Sequence, residues 1–216
     1  MKTLIITLFV SFLIAINTAI AQEVKNPPVN IETMFSNNGI HFQTMVQKKL
    51  ISAPKIGFFA LSDILGKWDN TEADGYMVQG KLTYQIVSSL DLLGGFHMAS
   101  GVGVRPSLGA MYTYANPDFI VVLNPNYNID DFGNVEGFLM SEFKPKISES
   151  WRFYSRVQGL YVHTTDDGSH ARSYARFKAG LSYKEFSFGL GANFDYYGPQ
   201  KINENSLGVF VSTSLF

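Results

Sequence analysis

The chain has 216 residues, a formal net charge of −1 and no cysteine. The near-neutral charge argues against nucleic acid as a partner, because such binding needs clustered Lys and Arg. The lack of cysteine excludes disulfides, thiolate metal sites and a cysteine nucleophile. Charged residues make up only 16% and aromatic residues 14% of the chain, against about 25% charged residues in soluble domains. A chain of this composition is expected to face an apolar environment.

Residues 1–21 contain the three parts of a cleaved export signal in their usual order. Lys2 provides the positive start, an apolar run follows it, and a small-x-small sequence ends at Ala21. A retained anchor is the weaker interpretation, because the apolar run is short for a spanning helix of about 20 residues. We predict a signal peptide over 1–21, a short lead-in over 22–28 and one domain over 29–216.

From about residue 30 onward, apolar and polar residues alternate with a period of two, which is typical of β-strands. In one such strand the apolar face carries Tyr76, Val78, Gly80, Leu82, Tyr84 and Ile86. The other face of that strand carries Met77, Gln79, Lys81, Thr83 and Gln85. No stretch after the signal shows the period of 3.6 residues that indicates a helix. The sequence therefore predicts an all-β protein.

A short polar connection joins two of these strands into a hairpin. Lys184-Glu185 is predicted to form a two-residue turn that places Tyr183 opposite Phe186. With this register, residues of the same face meet along the whole pair of strands, as a half-buried sheet requires.

A second hairpin is predicted at Asn116-Pro117, with Tyr114 opposite Phe119. Short turns of this kind are expected to alternate strictly with longer polar connections, as in an antiparallel up-and-down transmembrane β-barrel. Counting back from the C-terminus gives eleven strands, and residues 29–36 supply a twelfth, which restores the even number that such barrels have. Ten strands is the alternative count.

Alternating strands suit a soluble barrel with an apolar interior or a membrane barrel with an apolar exterior. A barrel of eleven or twelve strands is expected to be too wide for side chains to fill, so an apolar interior would leave a void. Aromatic residues also gather at both ends of the strands. The ten steps from Phe186 to Tyr196 span roughly 24 Å of membrane normal at ~3.4 Å per residue and ~45° tilt. That length matches an apolar band of ~25 Å and favours the membrane barrel.

These features resemble the outer-membrane β-barrel proteins of Gram-negative bacteria as a class. The resemblance rests on the predicted signal peptide, the regular succession of hairpins and the last strand, 207–216, which ends in Phe216. It implies a location in the outer membrane, contact with outer-membrane lipid, and recognition of Phe216 by the barrel-assembly machinery. No characterised family within the class matches, so no functional residues are carried over from one.

Charged residues on the inward face concentrate in four consecutive strands and form a predicted charge ladder. Its members are Glu136, Glu142 and Lys144, then Arg152 and Arg156, then Arg176 and Lys178, and finally Asp195. Glu142 is expected opposite Arg152. Arg156 is expected near Lys178. Asp195 is expected near Arg176. Such a ladder would form a charged constriction or a solute-binding strip, or its charges would neutralise one another and hold a narrow lumen closed.

The four histidines of the chain do not stand at spacings that pair them with a nucleophile on one strand face. His97 and Ser100 are three residues apart, so their side chains point to opposite faces of a regular strand. His170 lies in a predicted loop beside Ser169. Since nucleophilic catalysis needs a nucleophile and a base within hydrogen-bond reach, we expect no enzyme. We also expect no cofactor and no metal site.

The sequence thus predicts a porin-like barrel that acts as a passive or weakly selective pore for small solutes, or as a structural surface protein. A lipid-modifying outer-membrane enzyme is one alternative. It would bring a His, a Ser or Thr and a polar orienter together at the lipid-facing rim. A soluble periplasmic barrel that binds an apolar ligand is the other alternative. It would have an apolar interior and a charged exterior.

Overall fold

A computed structural model of the chain describes residues 26–69, 75–131 and 133–215. The predicted signal peptide, most of the lead-in and Phe216 lie outside these ranges, and so do the expectations that concern them. In the described part of the chain, no helix is long and apolar enough to cross a membrane.

The described residues form twelve β-strands, the number that the sequence predicts. They are β1 (Val29–Ser36), β2 (Gly39–Leu50), β3 (Ala53–Lys67), β4 (Gly75–Val87), β5 (Leu90–Ala99), β6 (Gly103–Ala115), β7 (Phe119–Asn128), β8 (Asn134–Phe143), β9 (Trp151–Thr164), β10 (His170–Tyr183), β11 (Phe186–Tyr197) and β12 (Ile202–Leu215). The first strand has the bounds predicted for it, so the alternative count of ten strands is wrong.

The strands form one closed antiparallel barrel, in which each strand pairs with its neighbours in the chain and β1 pairs with β12. In this closing pair Val29 lies opposite Leu215 and Ser36 lies opposite Gly208. Closure leaves none of the twelve described strands with an unpaired edge, which is the condition for a β-sheet to lie in lipid.

The two ends of the barrel carry different connections. The turn end carries residues 51–52, 88–89, 116–118, 144–150 and 184–185, together with the start of β1 and the end of β12. Of the described residues, the loop end carries 37–38, 68–69, 100–102, 129–131, 133, 165–169 and 198–201. Strict alternation of short and long connections is therefore wrong in two places. The connection 37–38 is short although it lies at the loop end, and 144–150 is longer than several loops.

The hairpin between β10 and β11 has the predicted register. Tyr183 lies opposite Phe186, and the ladder continues in phase to Arg172 opposite Tyr197. Lys184 has a φ of 51°, the left-handed conformation that lets a two-residue turn match the twist of its strands.

The register predicted for the β6–β7 hairpin is wrong, because Tyr114 lies opposite Val121 rather than Phe119. The side chain of Asn116 accepts hydrogen bonds from the backbone nitrogens of Asp118 and Phe119 at 3.0 and 2.8 Å. This side-chain turn keeps Phe119 out of the ladder position opposite Tyr114. The faces are preserved, since the shift is an even number of residues.

The side chains of the predicted apolar face point away from the barrel. Leu82 and Leu190 are each 70% exposed although they lie well inside their strands. Exposed aromatic residues on this face near the loop end include Tyr76, Tyr127 and Tyr161. Those near the turn end include Tyr84, Tyr114, Trp151, Tyr183 and Phe186. An apolar exterior with aromatic residues at both ends is that of a barrel in lipid and excludes the soluble alternative.

Side chains fill the interior of the barrel. The larger apolar cluster contains Phe59, Leu61, Met77, Leu93, Met111, Val122, Phe138, Met140, Leu160, Val162 and Tyr174. A smaller cluster contains Met34, Tyr154 and Phe210. The expectation that a barrel of this size is too wide to fill is therefore wrong, because long side chains of non-adjacent strands reach one another.

Candidate functional site

Charged side chains in the interior reach from one wall of the barrel to another. Glu32 of β1 is only 2% exposed, and both of its carboxylate oxygens accept hydrogen bonds from Arg156 Nη2 at 2.7 Å. Lys178 of β10 also donates to Glu32. One carboxylate is thus bonded to two bases on strands that are not its neighbours in the sheet.

A second carboxylate, Asp63 of β3, is surrounded in a similar way. It accepts a hydrogen bond from Arg176 of β10, and Gln43 Nε2 donates to its Oδ2 at 3.0 Å. His41 Nε2 lies 2.6 Å from Asp63 Oδ1. Arg176 extends the contacts to Asp195, whose Oδ1 lies 3.5 Å from its Nη2.

Gln43 joins the two carboxylate groups. Its amide nitrogen donates to Asp63, and its amide oxygen accepts from Arg156 at 3.3 Å. We call the connected set the cross-barrel network. It consists of Glu32, Gln43, Asp63, Arg156, Arg176 and Lys178. Because buried charges are costly without partners, these bonds tie β1, β2 and β3 to β9 and β10.

A separate polar group surrounds Glu136 of β8. Gln79 Nε2 and Asn126 Nδ2 donate to Glu136 Oε1 at 2.9 and 3.2 Å. His97 Nδ1 lies 3.4 Å from the other carboxylate oxygen, and Lys81 donates to Asn126 at 2.6 Å. This group joins β4 and β5 to β7 and β8 through hydrogen bonds, just as the cross-barrel network joins β1, β2 and β3 to β9 and β10.

Most residues of the predicted charge ladder lie inside the barrel. The buried members are Glu136, Glu142, Arg156, Arg176, Lys178 and Asp195. Arg156 lies opposite Lys178 on one side and Glu142 on the other, and Arg176 contacts Asp195. The role of this set as a selectivity site for solutes stays a prediction.

Arg152 does not belong to the interior. It lies at the turn end, where its Nη1 contacts Asp118 Oδ1 at 2.8 Å and both side chains are partly exposed. The predicted pairing of Glu142 with Arg152 is wrong, because Glu142 lies opposite Arg156. The connection 144–150 is longer than a tight turn, and it moves the partner of Glu142 further along β9.

Glu32 and Asp63, the two central acids of the network, are missing from the predicted ladder. Strand alternation alone could have placed Glu32 inside, since it follows the outward residue Ile31 in β1. Asp63 is harder to assign, because β3 is apolar on both faces and has Phe58 outward next to Phe59 inward. Alternation identifies an inward acid but not the base that it meets.

A further polar contact lies at the loop end. His170 Nε2 lies 2.9 Å from Ser173 Oγ, and His170 Nδ1 lies 2.7 Å from the carbonyl oxygen of Gly198. The register of β10 against β9 shifts between His170 and Arg172. This bulge brings two side chains three positions apart to the same side. Ser173 could not be paired with His170 from the sequence, because a regular strand would place their side chains on opposite faces.

Metal-binding residue types are engaged with one another or dispersed. His41 is bonded to Asp63, and His97 lies beside Glu136. Across residues 26–69, 75–131 and 133–215, no group of three or more His, Cys, Asp or Glu residues could hold a metal ion.

Solved structures share this architecture. The chain matches the NanC porin with a TM-score of 0.54 and 13% identity, over 87% of this chain and 100% of that one. The KdgM porin matches with a TM-score of 0.48 and 15% identity, over 87% and 99%. No family model matches the chain, and no curated protein matches it. At these identities the NanC likeness shows the fold alone.

The closed sheet, the exposed apolar belt and the structural likeness define the class, which is the outer-membrane β-barrel. Within that class the chain has twelve strands and shares the fold of the NanC porin. Its interior carries the network described above, and its rim carries the contact between His170 and Ser173.

Proposed function

We propose that the protein is a porin-like outer-membrane barrel whose lumen the cross-barrel network closes in the resting state. The observation that carries this proposal is the burial of bonded charges from different walls. Glu32, Asp63 and Arg176 are each at most 4% exposed, whereas a hydrated pore would leave its lining charges in contact with water. Small solutes would pass only when the network separates.

The strength of buried ion pairs makes such separation rare. Removing one partner of a buried pair typically costs about 3–5 kcal/mol, because the other charge is left without compensation. In this proposal the network acts as a barrier to ions rather than as a selectivity strip. Export through a signal peptide over 1–21 and assembly through Phe216 complete the proposal.

Planar-bilayer recordings test the closed lumen. We expect the wild-type protein to show rare, brief openings, because the pairs hold the walls together. The double variant Glu32→Gln, Asp63→Asn removes these attractions and leaves Arg156 and Arg176 in the lumen, so we expect frequent openings that prefer anions. Asp118→Asn is the matched control, since it neutralises an acid outside the lumen, and it should behave like the wild type.

The opposite variant tests the sign of the effect. Neutralising Arg156, Arg176 and Lys178 leaves the acids in place and should shift any conductance toward cations. Each variant is first checked for the heat-modifiable gel mobility of a folded barrel. A steady wild-type conductance equal to that of the Glu32→Gln, Asp63→Asn variant would refute the closed lumen.

A further inference from the structure

The serine and histidine at the loop end have a defined direction of hydrogen bonding. The carbonyl oxygen of Gly198 can only accept, so His170 Nδ1, which lies 2.7 Å away, carries the proton and donates it. His170 Nε2 is then free to accept the hydroxyl proton of Ser173 at 2.9 Å. This is the arrangement of a serine nucleophile with a histidine base that a third group orients.

The orienting carbonyl is held firmly in place. Gly198 has a φ of +68°, and its backbone nitrogen donates to the carbonyl oxygen of Ala171 at 2.8 Å. Ala171 is the residue at which β10 bulges. The carbonyl oxygen of Gly198 also accepts from the backbone nitrogen of Lys201 at 3.0 Å. The bulge that brings His170 to Ser173 and the loop that orients the imidazole are therefore bonded into one unit.

The pair lies on the outward side of the barrel, at the level of the loop-end aromatic residues. Ser173 is opposite Tyr161 on β9 and Tyr196 on β11. The imidazole of His170 packs edge-on against Tyr161, with ring centroids 5.7 Å apart. Tyr161 is half-exposed on the lipid-facing side. Aromatic girdles mark the level of the lipid headgroups, where ester bonds join the acyl chains to the polar part of a lipid.

From this geometry we infer that Ser173 and His170 are a catalytic pair that hydrolyses acyl esters of membrane lipids. Ser173 Oγ attacks the ester carbonyl carbon while His170 Nε2 takes the hydroxyl proton. The ester C–O bond then breaks, and Nε2 returns that proton to the leaving alcohol oxygen. A water molecule, deprotonated by Nε2, cleaves the acyl-serine bond, and the proton passes back to Ser173. Ester and water become a fatty acid and an alcohol.

This activity is separate from the interior of the barrel. Neither Ser173 nor His170 is a member of the cross-barrel network, and an acyl ester would reach them from the lipid side. The proposed closure of the lumen and the proposed hydrolysis can therefore fail independently of each other. A closed barrel is fully compatible with chemistry on its outer rim.

Labelling of the purified full-length protein in detergent tests the nucleophile. An alkyl fluorophosphonate reacts with serines that a neighbouring base activates, and peptide mass spectrometry locates the adduct. We expect modification of Ser173 in the wild type, and none in Ser173→Ala or His170→Gln. Ser155→Ala is the matched control, because Ser155 also lies on the outward face but donates to the Phe143 carbonyl oxygen. It should be labelled like the wild type.

Hydrolysis tests the reaction itself. With p-nitrophenyl laurate, and with mixed micelles of dioleoylphosphatidylglycerol, the wild type should release nitrophenol and oleate. Ser173→Ala and His170→Gln should lower these rates by roughly 10²–10⁴-fold, the usual contribution of a positioned acid–base group. Heat-modifiable mobility must show that each variant is folded. A folded wild type that is neither labelled nor active, or an adduct that survives in Ser173→Ala, would overturn the inference.

Discussion

An arginine placed at the centre of the outward face tests whether lipid surrounds the barrel. Leu190 is 70% exposed and lies four residues from Phe186 and six from Tyr196 on β11. At ~3.4 Å per residue and ~45° tilt, these steps place Leu190 about 10 and 14 Å from the two aromatic ends. Arginine this close to the midplane costs about 2–4 kcal/mol. We expect Leu190→Arg to lower the free energy of unfolding by that amount.

The matched control is an apolar residue of similar exposure at a different depth. Val104 is 66% exposed but is the second residue of β6, at the loop end, where arginine costs only about 0–1 kcal/mol. Urea unfolding of the barrel from lipid vesicles, followed by tryptophan fluorescence, gives both free energies. Equal losses for Leu190→Arg and Val104→Arg, or no loss for Leu190→Arg, would show that the outward face does not lie in lipid.

Two further perturbations address the interior and one loop. Asp63→Asn leaves Arg176 with only its 3.5 Å contact to Asp195 and should cost up to about 3–5 kcal/mol in the same unfolding assay. Asp63→Leu combined with Arg176→Met should recover most of that loss, and additive losses would contradict the pairing. Hydrogen bonds from Thr164 and Ser169 lower the pKa of Asp167 from 3.8 to about 2. Because the pKa of Asp167 is lowered in the folded state, these hydrogen bonds stabilise the loop fully above pH ~4. Their contribution is lost as the pH falls toward 2. Amide-exchange protection of Ser169 should fall over that window, and a fall that persists in Asp167→Asn would refute the assignment.

The exterior of the barrel could be predicted from the sequence because local rules determine it. Alternation within β4 assigns Leu82 to the outward face without any knowledge of distant contacts. The two-residue turn at Lys184 and Glu185 sets the register of β10 and β11 in the same local way. The twelfth strand follows from the even strand number that closure demands.

The contacts across the interior could not be predicted, because they join residues that are far apart in the chain. Glu32 and Arg156 are separated by 124 positions, and only the closed barrel brings them together. The bulge at Ala171 reverses the facing of one residue, so that His170 meets Ser173. Asn116 likewise lengthens a turn through its own side chain and shifts the ladder beside it. Such single-residue departures decide contacts that periodic patterns cannot show.

The pairing of β1 with β12 has a consequence for the order of the chain. Val29 and Leu215 are cross-strand partners at the turn end, so a short linker could join them without moving a strand. New termini could then be opened in another connection, such as 100–102. Such a circular permutant would keep all twelve strand pairings while a different strand became the first. The pairing of the twelve strands therefore does not depend on which strand comes first in the chain.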